Sequence, residues 1–257
     1  MPFGSIHSPG LTTSRSDSAN PTLWDGLIGA WSPILGPSGS VIRDYSGHNN
    51  HGDLTNTTPE ISVFPRHVYL TGNDDIPTGL NSSEVFETGQ PWSVLLYKKY
   101  ISTPGGNRFA FGSASSTPRF YVMNNGSKYF WGWGTKHGMS NAGAPVRQGK
   151  WSQVVLTYDQ ANDFIWYVDG KFSGQESYTG SGQFANAEIE ISREAGSNGL
   201  THLIADARLY GRALRPSEVS LMWRDPLASY RRRRQVVSYS SSSAPALVAH
   251  QKVVSVI

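Results

Sequence analysis

The sequence has 257 residues, long for one all-β domain but within its range, with 27 glycines, 15 prolines and no cysteine. The lack of cysteine excludes disulfides and thiolate metal sites, and the many turn-forming residues exclude a mainly helical protein. Five of the 22 basic residues lie in the acid-free stretch 231–257, and the other 17 are balanced by 19 acids, so a nucleic-acid-binding body is not expected. We also expect no signal peptide and no membrane-spanning segment, because no apolar run is long enough.

The chain opens with a polar arm and a first strand. Residues 1–20 are rich in serine and have no periodic apolar positions, which is typical of a disordered arm. Residues 23–31 alternate well enough to predict a strand, with Trp24 and Trp31 as large apolar anchors.

A long turn is predicted over residues 43–54, which read RDYSGHNNHGDL. Gly47 and Gly52 permit a positive φ there, and the side chains of Asp44 and Asn49 can bond nearby amides. The segment therefore predicts a turn held by its own side chains.

The rest of the chain predicts strands and one helix. Residues 119–133 predict a hairpin that turns at Asn125-Gly126. A helix is predicted over 216–223, because Pro216 suits a first helical turn and Glu218 lies near the positive end of the helix dipole. Further strands are predicted over residues 68–70, 74–76, 91–100, 188–192 and 202–210.

The clearest hairpin lies in residues 151–170, WSQVVLTYDQANDFIWYVDG, where two apolar runs flank a short polar segment. Val154, Leu156 and Tyr158 occupy alternate positions of the first strand, so they share one face. Asp169-Gly170 then turns the chain, since both residues tolerate the left-handed backbone of a tight turn. One face of each strand is therefore expected to be core.

Several short motifs occur in an order shared with a known superfamily. The motifs are Trp151-x-x-Val154, Thr157-Tyr158-Asp159, Tyr167-Val168-Asp169-Gly170, the run from Ala205 to Leu214, and Glu218-Val219. Over residues 23–223 the chain resembles the laminin-G-like branch of the concanavalin A-like lectin/glucanase superfamily. The resemblance implies a two-sheet antiparallel jelly-roll sandwich, a fold that hosts lectins, adhesion modules, capsid-associated proteins and glycosidases. Together with the residue patterns, the predicted fold is an all-β jelly-roll sandwich with one short C-terminal helix and extended N- and C-terminal tails. The predicted organisation is an arm over 1–20, a laminin-G-like domain over 21–226 and a basic, Ser-rich docking tail over 227–257.

Carboxylates on one predicted strand raise the question of glycoside hydrolysis. Glucanases of the superfamily carry Glu-x-Asp-x-x-Glu, which points nucleophile and acid into a cleft. Here Glu188 and Glu190 are followed by Arg193 where the last carboxylate is expected, and Glu194 lies one residue too far. The alternative is an edge strand with charged outward residues, and we expect no enzymatic activity.

Four oxygen-bearing residues form the best metal hypothesis. Asp44 and Asp206 are the main candidate ligands, and Asn49 and Asp75 are further ones. Ca²⁺ takes six to eight oxygen ligands, and the resemblance implies a calcium site because many members of the superfamily hold a structural calcium. The alternative is that these side chains only bond turn amides.

An aromatic row forms the best ligand-binding hypothesis. Tyr129, Trp131 and Trp133 alternate along a predicted strand, so their rings can stack on the faces of sugars. The alternative is core packing, because aromatic residues dominate sandwich cores.

The C-terminal stretch predicts an assembly contact. An arginine run, a serine linker and a short apolar strand suit the addition of a strand to a neighbouring subunit, with the arginines facing acidic groups. The predicted contact residues are Arg231, Arg232, Arg233, Arg234, Val253, Val254, Val256 and Ile257. A sandwich followed by a short helix and an arginine run resembles laminin-G-like proteins of tailed bacteriophages and marine viruses.

These patterns favour a non-enzymatic, virion-associated protein that decorates a capsid or tail and presents a lectin-like outer surface. It would assemble in the host cytoplasm, with other virion proteins or copies of itself as partners through the termini, glycans as ligands, no membrane insertion and no sequence-specific nucleic acid. The alternatives are a free bacterial carbohydrate-binding or adhesion module, at the cell surface or secreted, and, as the weakest, a glycoside hydrolase.

Overall fold

The computed structural model describes residues 10–35, 40–54, 68–70, 76–86, 90–101, 108–113, 119–124, 129–134, 136–138, 146–159, 163–177, 187–193 and 202–233. The strands within these residues are β1 (Leu27–Trp31), β2 (Val41–Ile42), β3 (Gly52–Asp53), β4 (Val68–Leu70), β5 (Ile76–Asn81), β6 (Trp92–Tyr100), β7 (Arg108–Ser113), β8 (Arg119–Asn124), β9 (Tyr129–Gly134), β10 (Lys136–Gly138), β11 (Trp151–Tyr158), β12 (Asp163–Val168), β13 (Lys171–Ser177), β14 (Glu188–Arg193) and β15 (His202–Tyr210). The helices are α1 (Ser82–Val85) and α2 (Pro216–Arg224), and short 3₁₀ turns cover Pro21–Trp24, Pro33–Leu35 and Ala228–Tyr230.

The strands build two antiparallel sheets. In the seven-stranded sheet the order is β1-β15-β6-β11-β12-β13, and β4 also pairs with β15. In the six-stranded sheet the order is β10-β9-β8-β7-β14-β5, and β2 and β3 form a separate short pair. The two-sheet, antiparallel sandwich predicted from the sequence is therefore confirmed, with α1 as an additional single turn.

The main core contains side chains from both sheets. Val154, Leu156 and Tyr158 of β11 all belong to it, as the alternation along the sequence predicted. Trp92 of β6 stacks on Tyr158, with ring centroids 5.8 Å apart, and packs edge-on against Phe164 of β12. Burial of one large apolar side chain contributes about 1.5–3 kcal/mol to folding, so the aromatic contacts among β6, β11 and β12 stabilise the centre of the sandwich.

A second core covers the opposite face of the seven-stranded sheet. Apolar residues of β6, β11 and β12 that alternate with the main core belong to this second core, among them Leu95, Val155 and Tyr167. Helix α2 buries Val219 and Met222 in this cluster. The sheet is thus apolar on both faces, because the C-terminal helix shields the outer one from water.

Residues 10–20 and 227–233 close this outer layer together. Leu11 pairs with Arg231 and Ser18 pairs with Arg232 in antiparallel bridges. The amide of Arg232 donates to Gly10 O at 2.9 Å. The predicted arm over residues 1–20 and tail from residue 227 therefore differ from the structure, in which residues 10–20 and 227–233 belong to the folded body because their backbone groups satisfy each other.

The first strand and the long turn differ in detail from expectation. Of the predicted strand 23–31 only β1 is extended, and Leu23 and Trp24 lie in a 3₁₀ turn. Gly47 has the expected positive φ of 96°, but the second positive φ belongs to Asn49, at 63°. Gly52 instead lies in β3, where a Cβ would come within 2.6 Å of a methyl group of Ile76.

The later elements follow the prediction closely. The hairpin of β8 and β9 forms, and its predicted turn, Asn125-Gly126, lies outside the described residues. Asp169 and Gly170 both have the positive φ expected of their turn, at 51° and 75°. Helix α2 begins at the predicted residue and ends at Arg224. Among the described residues no helix is long and apolar enough to span a membrane.

Candidate functional site

A buried ion pair holds the end of the folded body against the sheet. Arg208 of β15 is fully buried, and its Nε lies 2.8 Å from Oδ2 of Asp206. The guanidinium also donates to Ser229 Oγ at 2.6 Å and to Pro226 O at 2.7 Å. One arginine therefore links the strand to the segment that follows α2. We call this group, Asp206, Arg208, Pro226, Ser229 and Tyr230, the C-terminal clamp.

Other buried polar groups around the clamp are hydrogen-bonded. Asp206 accepts a short hydrogen bond from Ser32 Oγ, which lies 2.9 Å from the Tyr230 hydroxyl. The guanidinium of Arg208 lies over the ring of Tyr230, 5.0 Å from its centroid. Trp24 Nε1 donates to Ser229 O at 2.8 Å. The clamp thus joins β15 and residues 226–230 to Ser32 and Trp24.

Burial and charge act in opposite directions on this pair. Burial raises the pKa of Asp206 above its ordinary value, while Arg208 and the hydrogen bond from Ser32 oppose that rise. Burial is the largest single influence and works to lower the pKa of Arg208, but the charges of Asp206, Tyr230 and Tyr210 and the hydrogen bond to Asp206 together raise that pKa, so the guanidinium stays protonated. Removing either partner would leave an isolated buried charge.

The predicted contact arginines begin inside this folded region. Arg231 forms an ion pair with Asp225, at 2.9 Å, and Arg233 donates from Nε to Ser18 O at 2.7 Å. The main chain of Arg232 is paired with the N-terminal segment. Three of the four arginines thus take part in contacts within the chain. Arg234, Val253, Val254, Val256 and Ile257 lie outside the described residues.

The turn that contains Asp44 is built around its carboxylate. Asp44 is 4% exposed, and its Oδ1 accepts from the amides of Ala30 and Ser46 at 2.9 and 2.8 Å. Its Oδ2 accepts from the Ser46 hydroxyl and from the Asn50 amide at 2.7 and 3.0 Å. The predicted bonding of Asp44 to nearby amides is confirmed, and the carboxylate ties the turn to β1.

The four predicted calcium ligands have different surroundings. Asp206 belongs to the clamp, Asp44 and Asn49 lie in the turn over 43–54, and Asp75 lies outside the described residues. Within the described part of the chain no three His, Asp or Glu side chains come together as a metal site would require. Calcium binding stays a prediction.

The predicted carboxylate strand, β14, lies between β5 and β7 of the six-stranded sheet. Glu188 accepts from the amide of Gly79 at 2.7 Å, and Glu190 is 8% exposed. Ile189 and Ile191, which alternate with them, belong to the main core. Glu188 is thus in contact with the backbone of β5, and Glu194 lies outside the described residues.

The predicted aromatic row lies on β9. Tyr129, Trp131 and Trp133 occupy alternate positions of this strand, which pairs with β8 and β10. Their side chains lie outside what the structure describes, so stacking on sugars and core packing both stay open.

A different aromatic cluster, which sequence reasoning missed, lies on the outer face of the seven-stranded sheet. Tyr97 of β6 stacks on Trp151 of β11, with centroids 5.2 Å apart and planes 24° apart. Trp223, near the end of α2, meets Tyr97 edge-on at 6.2 Å. All three side chains are partly exposed. We call Tyr97, Trp151 and Trp223 the outer aromatic patch.

Charged groups lie beside this patch. Arg147 donates from a terminal nitrogen to Asp169 Oδ2 at 2.6 Å, and the Gln153 amide donates to Asp169 Oδ1 at 3.1 Å. Burial raises the pKa of Tyr97, and the charge of Asp169 adds to the rise. Lys99 is directly opposite Trp151 in the β6–β11 pairing, so the two share a face.

A third feature that sequence reasoning missed is a buried basic cluster at one end of β6 and β15. Lys98 is 1% exposed, its Nζ donates to the Tyr100 hydroxyl at 2.5 Å, and burial lowers its pKa well below the ordinary value. His202 is 3% exposed, and among the described residues neither of its ring nitrogens has a hydrogen-bond partner. Burial, with a smaller contribution from Lys98, lowers the pKa of His202 to about 3. The histidine is therefore neutral at physiological pH.

Sequence patterns offered little to reveal these three features. Arg208 and Lys98 each interrupt an apolar strand, and a charged residue within such a run is the only signal that pointed to a buried partner. The outer aromatic patch joins residues from three distant segments, so no local spacing could show it.

Solved structures with the same fold include carbohydrate-related proteins. The sialidase of Trypanosoma rangeli has a TM-score of 0.57 and 17% identity, and the match covers 79% of this chain and 34% of that one. The binding domain of Paraclostridial Mosquitocidal Protein 1 has a TM-score of 0.61 and 16% identity over 78% and 52% of the two chains. Botulinum neurotoxin type C, described as interacting with two ganglioside molecules, has a TM-score of 0.59 and 12% identity over 80% and 52%. The chain thus spans about a third to a half of these proteins, and the likeness concerns the fold.

Sequence comparison gives the family. No curated protein sequence matches this chain significantly. The family model described as the concanavalin A-like lectin/glucanases superfamily, a laminin-G-type model, matches residues 71–220, which is more than half of the sequence. The matched region runs from before β5 to within α2, and so includes most strands of both sheets. The chain therefore belongs to the concanavalin A-like lectin/glucanases superfamily.

Proposed function

We propose that this protein is a non-catalytic structural component of a virus particle, which decorates the capsid or tail and presents its sandwich as a lectin-like outer surface. The C-terminal stretch beyond Arg233 attaches it to the particle. Support comes from the resemblance to laminin-G-like viral proteins and from the superfamily assignment. The ganglioside-interacting neurotoxin of the same fold supports glycan recognition by the sandwich.

The pairing of the termini is the observation that carries the attachment role. The amides of Arg232 and Arg233 donate to Gly10 O and Asp17 O, so the described C-terminal segment ends at a fixed place on the body. The remaining sequence, 234–257, contains Arg234, a serine run and the apolar stretch 252–257, with no acid. A basic, strand-prone segment that starts from a fixed point suits strand addition to an acidic neighbour.

Truncation at two positions tests the attachment. Deleting 234–257 keeps the backbone pairs of Arg231–Arg233, whereas deleting 231–257 removes them and leaves the N-terminal segment held only by its contacts with residues 228–230. With tagged chains expressed during infection, we expect the full chain to sediment with particles and the 234–257 deletion to remain in the soluble fraction with an unchanged melting temperature. The longer deletion should melt at a lower temperature.

Two outcomes would contradict the proposal. If the 234–257 deletion is incorporated as fully as the whole chain, attachment lies on the sandwich. If neither chain sediments with particles, the alternative of a free carbohydrate-binding or adhesion module is favoured.

The non-catalytic part of the proposal has its own test. We expect no release of sugar from laminarin, agar or xylan, because Arg193 stands where the last carboxylate of the glucanase pattern belongs. Sugar release that disappears in Glu188→Gln would show a glycosidase instead.

A further inference from the structure

The outer aromatic patch brings large rings and charged side chains together on one partly exposed face. Its three rings come from β6, β11 and α2, and each remains partly exposed although it contacts another ring. The second core ends beside it, since Leu95 and Val155 belong to that core whereas Tyr97 and Trp151 lie farther along the same strands. The patch thus continues an apolar face to the protein surface.

The turn after β12 holds the patch in shape. Asp169 and Gly170 have φ angles of 51° and 75°, and a Cβ on Gly170 would lie 2.8 Å from Cβ of Trp223. Glycine therefore lets Trp223 approach this turn. The left-handed backbone at Asp169 accompanies a carboxylate held by the Gln153 amide and by Arg147.

The charges select the kind of ligand. The side chain of Arg147 is 52% exposed and that of Asp169 is 13% exposed, so both can be reached from solvent. An apolar protein surface placed over the patch would remove water from this ion pair without replacing its hydrogen bonds, which is unfavourable. A sugar ring has an apolar C–H face that packs on aromatic rings and hydroxyl groups that bond to carboxylate and guanidinium.

We propose that the outer aromatic patch is a glycan-binding site that takes a pyranose ring against Trp151, with its hydroxyl groups bonded to Asp169 and Arg147. Lys99, opposite Trp151, adds a donor at the edge of the site. The site lies on the seven-stranded sheet, whereas the aromatic row predicted from the sequence lies on β9 of the six-stranded sheet. This inference rests on the proposed lectin-like role and assigns it to particular residues.

Binding to a printed array of neutral and acidic oligosaccharides tests the proposal. The full chain is applied first, and the strongest oligosaccharide is then titrated against purified variants. We expect Trp151→Ala to weaken binding by on the order of tenfold or more and Arg147→Ala by roughly threefold, since each removes one class of contact. Phe172→Ala is the matched control, because Phe172 is an aromatic side chain that is 63% exposed and belongs to neither core.

Folding effects are separated from binding effects by the second variant. Arg147 lies at the surface, so Arg147→Ala should keep the melting temperature of the wild type even if Trp151→Ala lowers it. A folded Arg147→Ala or Trp151→Ala protein that binds as tightly as the wild type would overturn the proposal. So would an array with no binding at all.

The outcomes distinguish this inference from the proposed function. Array binding that survives in the patch variants leaves a lectin-like role and places the site elsewhere. Patch variants that lose particle incorporation, together with an array that shows no binding, make the patch a protein contact and refute the sugar site. Loss of sugar binding with normal incorporation is the result expected if both proposals hold.

Discussion

Removing Arg208 should destabilise the protein more than any surface substitution. Arg208→Ala deletes the hydrogen bonds to Ser229 and Pro226 and leaves the buried Asp206 without its counter-ion. Breaking a buried pair by removing one partner costs about 3–5 kcal/mol. For a chain of this size such a loss lowers the melting temperature by roughly 6–20 °C.

The location of the damage can be measured as well as its size. Arg208 fastens the segment around Ser229 and Tyr230, which in turn pairs with the N-terminal residues. Hydrogen exchange of Arg208→Ala should therefore show a greater loss of protection at the amides of Thr12 and Arg232 than at the amide of Val155 in the seven-stranded sheet. Urea denaturation gives the total change in the free energy of unfolding.

A double substitution separates charge from packing. Asp206→Leu combined with Arg208→Met removes both charges and keeps apolar volume, so it should cost less than Arg208→Ala alone. A loss of stability below about 0.5 kcal/mol for Arg208→Ala, the usual range for surface substitutions, would refute the reasoning. Unchanged protection at the amide of Thr12 would refute the clamp as the link between the two termini.

Three further predictions concern other sites. The pKa of His202 in the folded protein is lowered to about 3 by burial and by Lys98. Between pH 6.5 and pH 3 this histidine is therefore protonated in the unfolded state, where its pKa is the ordinary 6.5, and neutral in the folded state. The free energy of unfolding should therefore keep this contribution above pH 6.5 and lose it between pH 6.5 and 3, by roughly 4–5 kcal/mol over the whole range. His202→Leu should make the melting temperature depend less on pH in this range. An equally strong pH dependence in the variant would show that His202 is not its cause. Gly52→Ala should cost about 1–3 kcal/mol in urea denaturation, because its Cβ would press on Ile76, whereas Gly10→Ala, with open space around it, should change little. The calcium hypothesis predicts that a chelator lowers the melting temperature of the wild type and not of Asp44→Ala; if the variant is destabilised equally with and without calcium, the hydrogen bonds to the turn explain the role of this carboxylate.

Local sequence patterns were sufficient for most of the secondary structure. The alternation Val154, Leu156, Tyr158 gave the buried face of β11, because side chains of a strand alternate whatever the strand packs against. Asp169-Gly170 gave the turn, since few residues tolerate its backbone. Pro216 and Glu218 gave the helix, and the amide of Arg215 indeed donates to Glu218 at 2.8 Å.

The sites depend on contacts between distant parts of the chain. Tyr97, Trp151 and Trp223 meet only because β6 pairs with β11 and α2 packs across both, so their spacing in the sequence carries no signal. The sequence around Arg208 predicts a strand but not the partner of its side chain, because that partner lies in the segment after α2, which packs over Arg208 in the folded protein.

The terminal segments show the same division between local and tertiary information. Residues 10–20 are polar and aperiodic, and by themselves they predict an arm. Their order comes from backbone hydrogen bonds to residues 230–233, more than 200 positions away. The sequence alone determined most of the strands, the turn at Asp169-Gly170 and the C-terminal helix, whose preferences act between neighbouring residues, but it did not predict β7, β10 or β13. Only the tertiary structure decided where the body ends and which side chains share a surface, because those depend on backbone and side-chain groups that have no partner until the sheets have assembled.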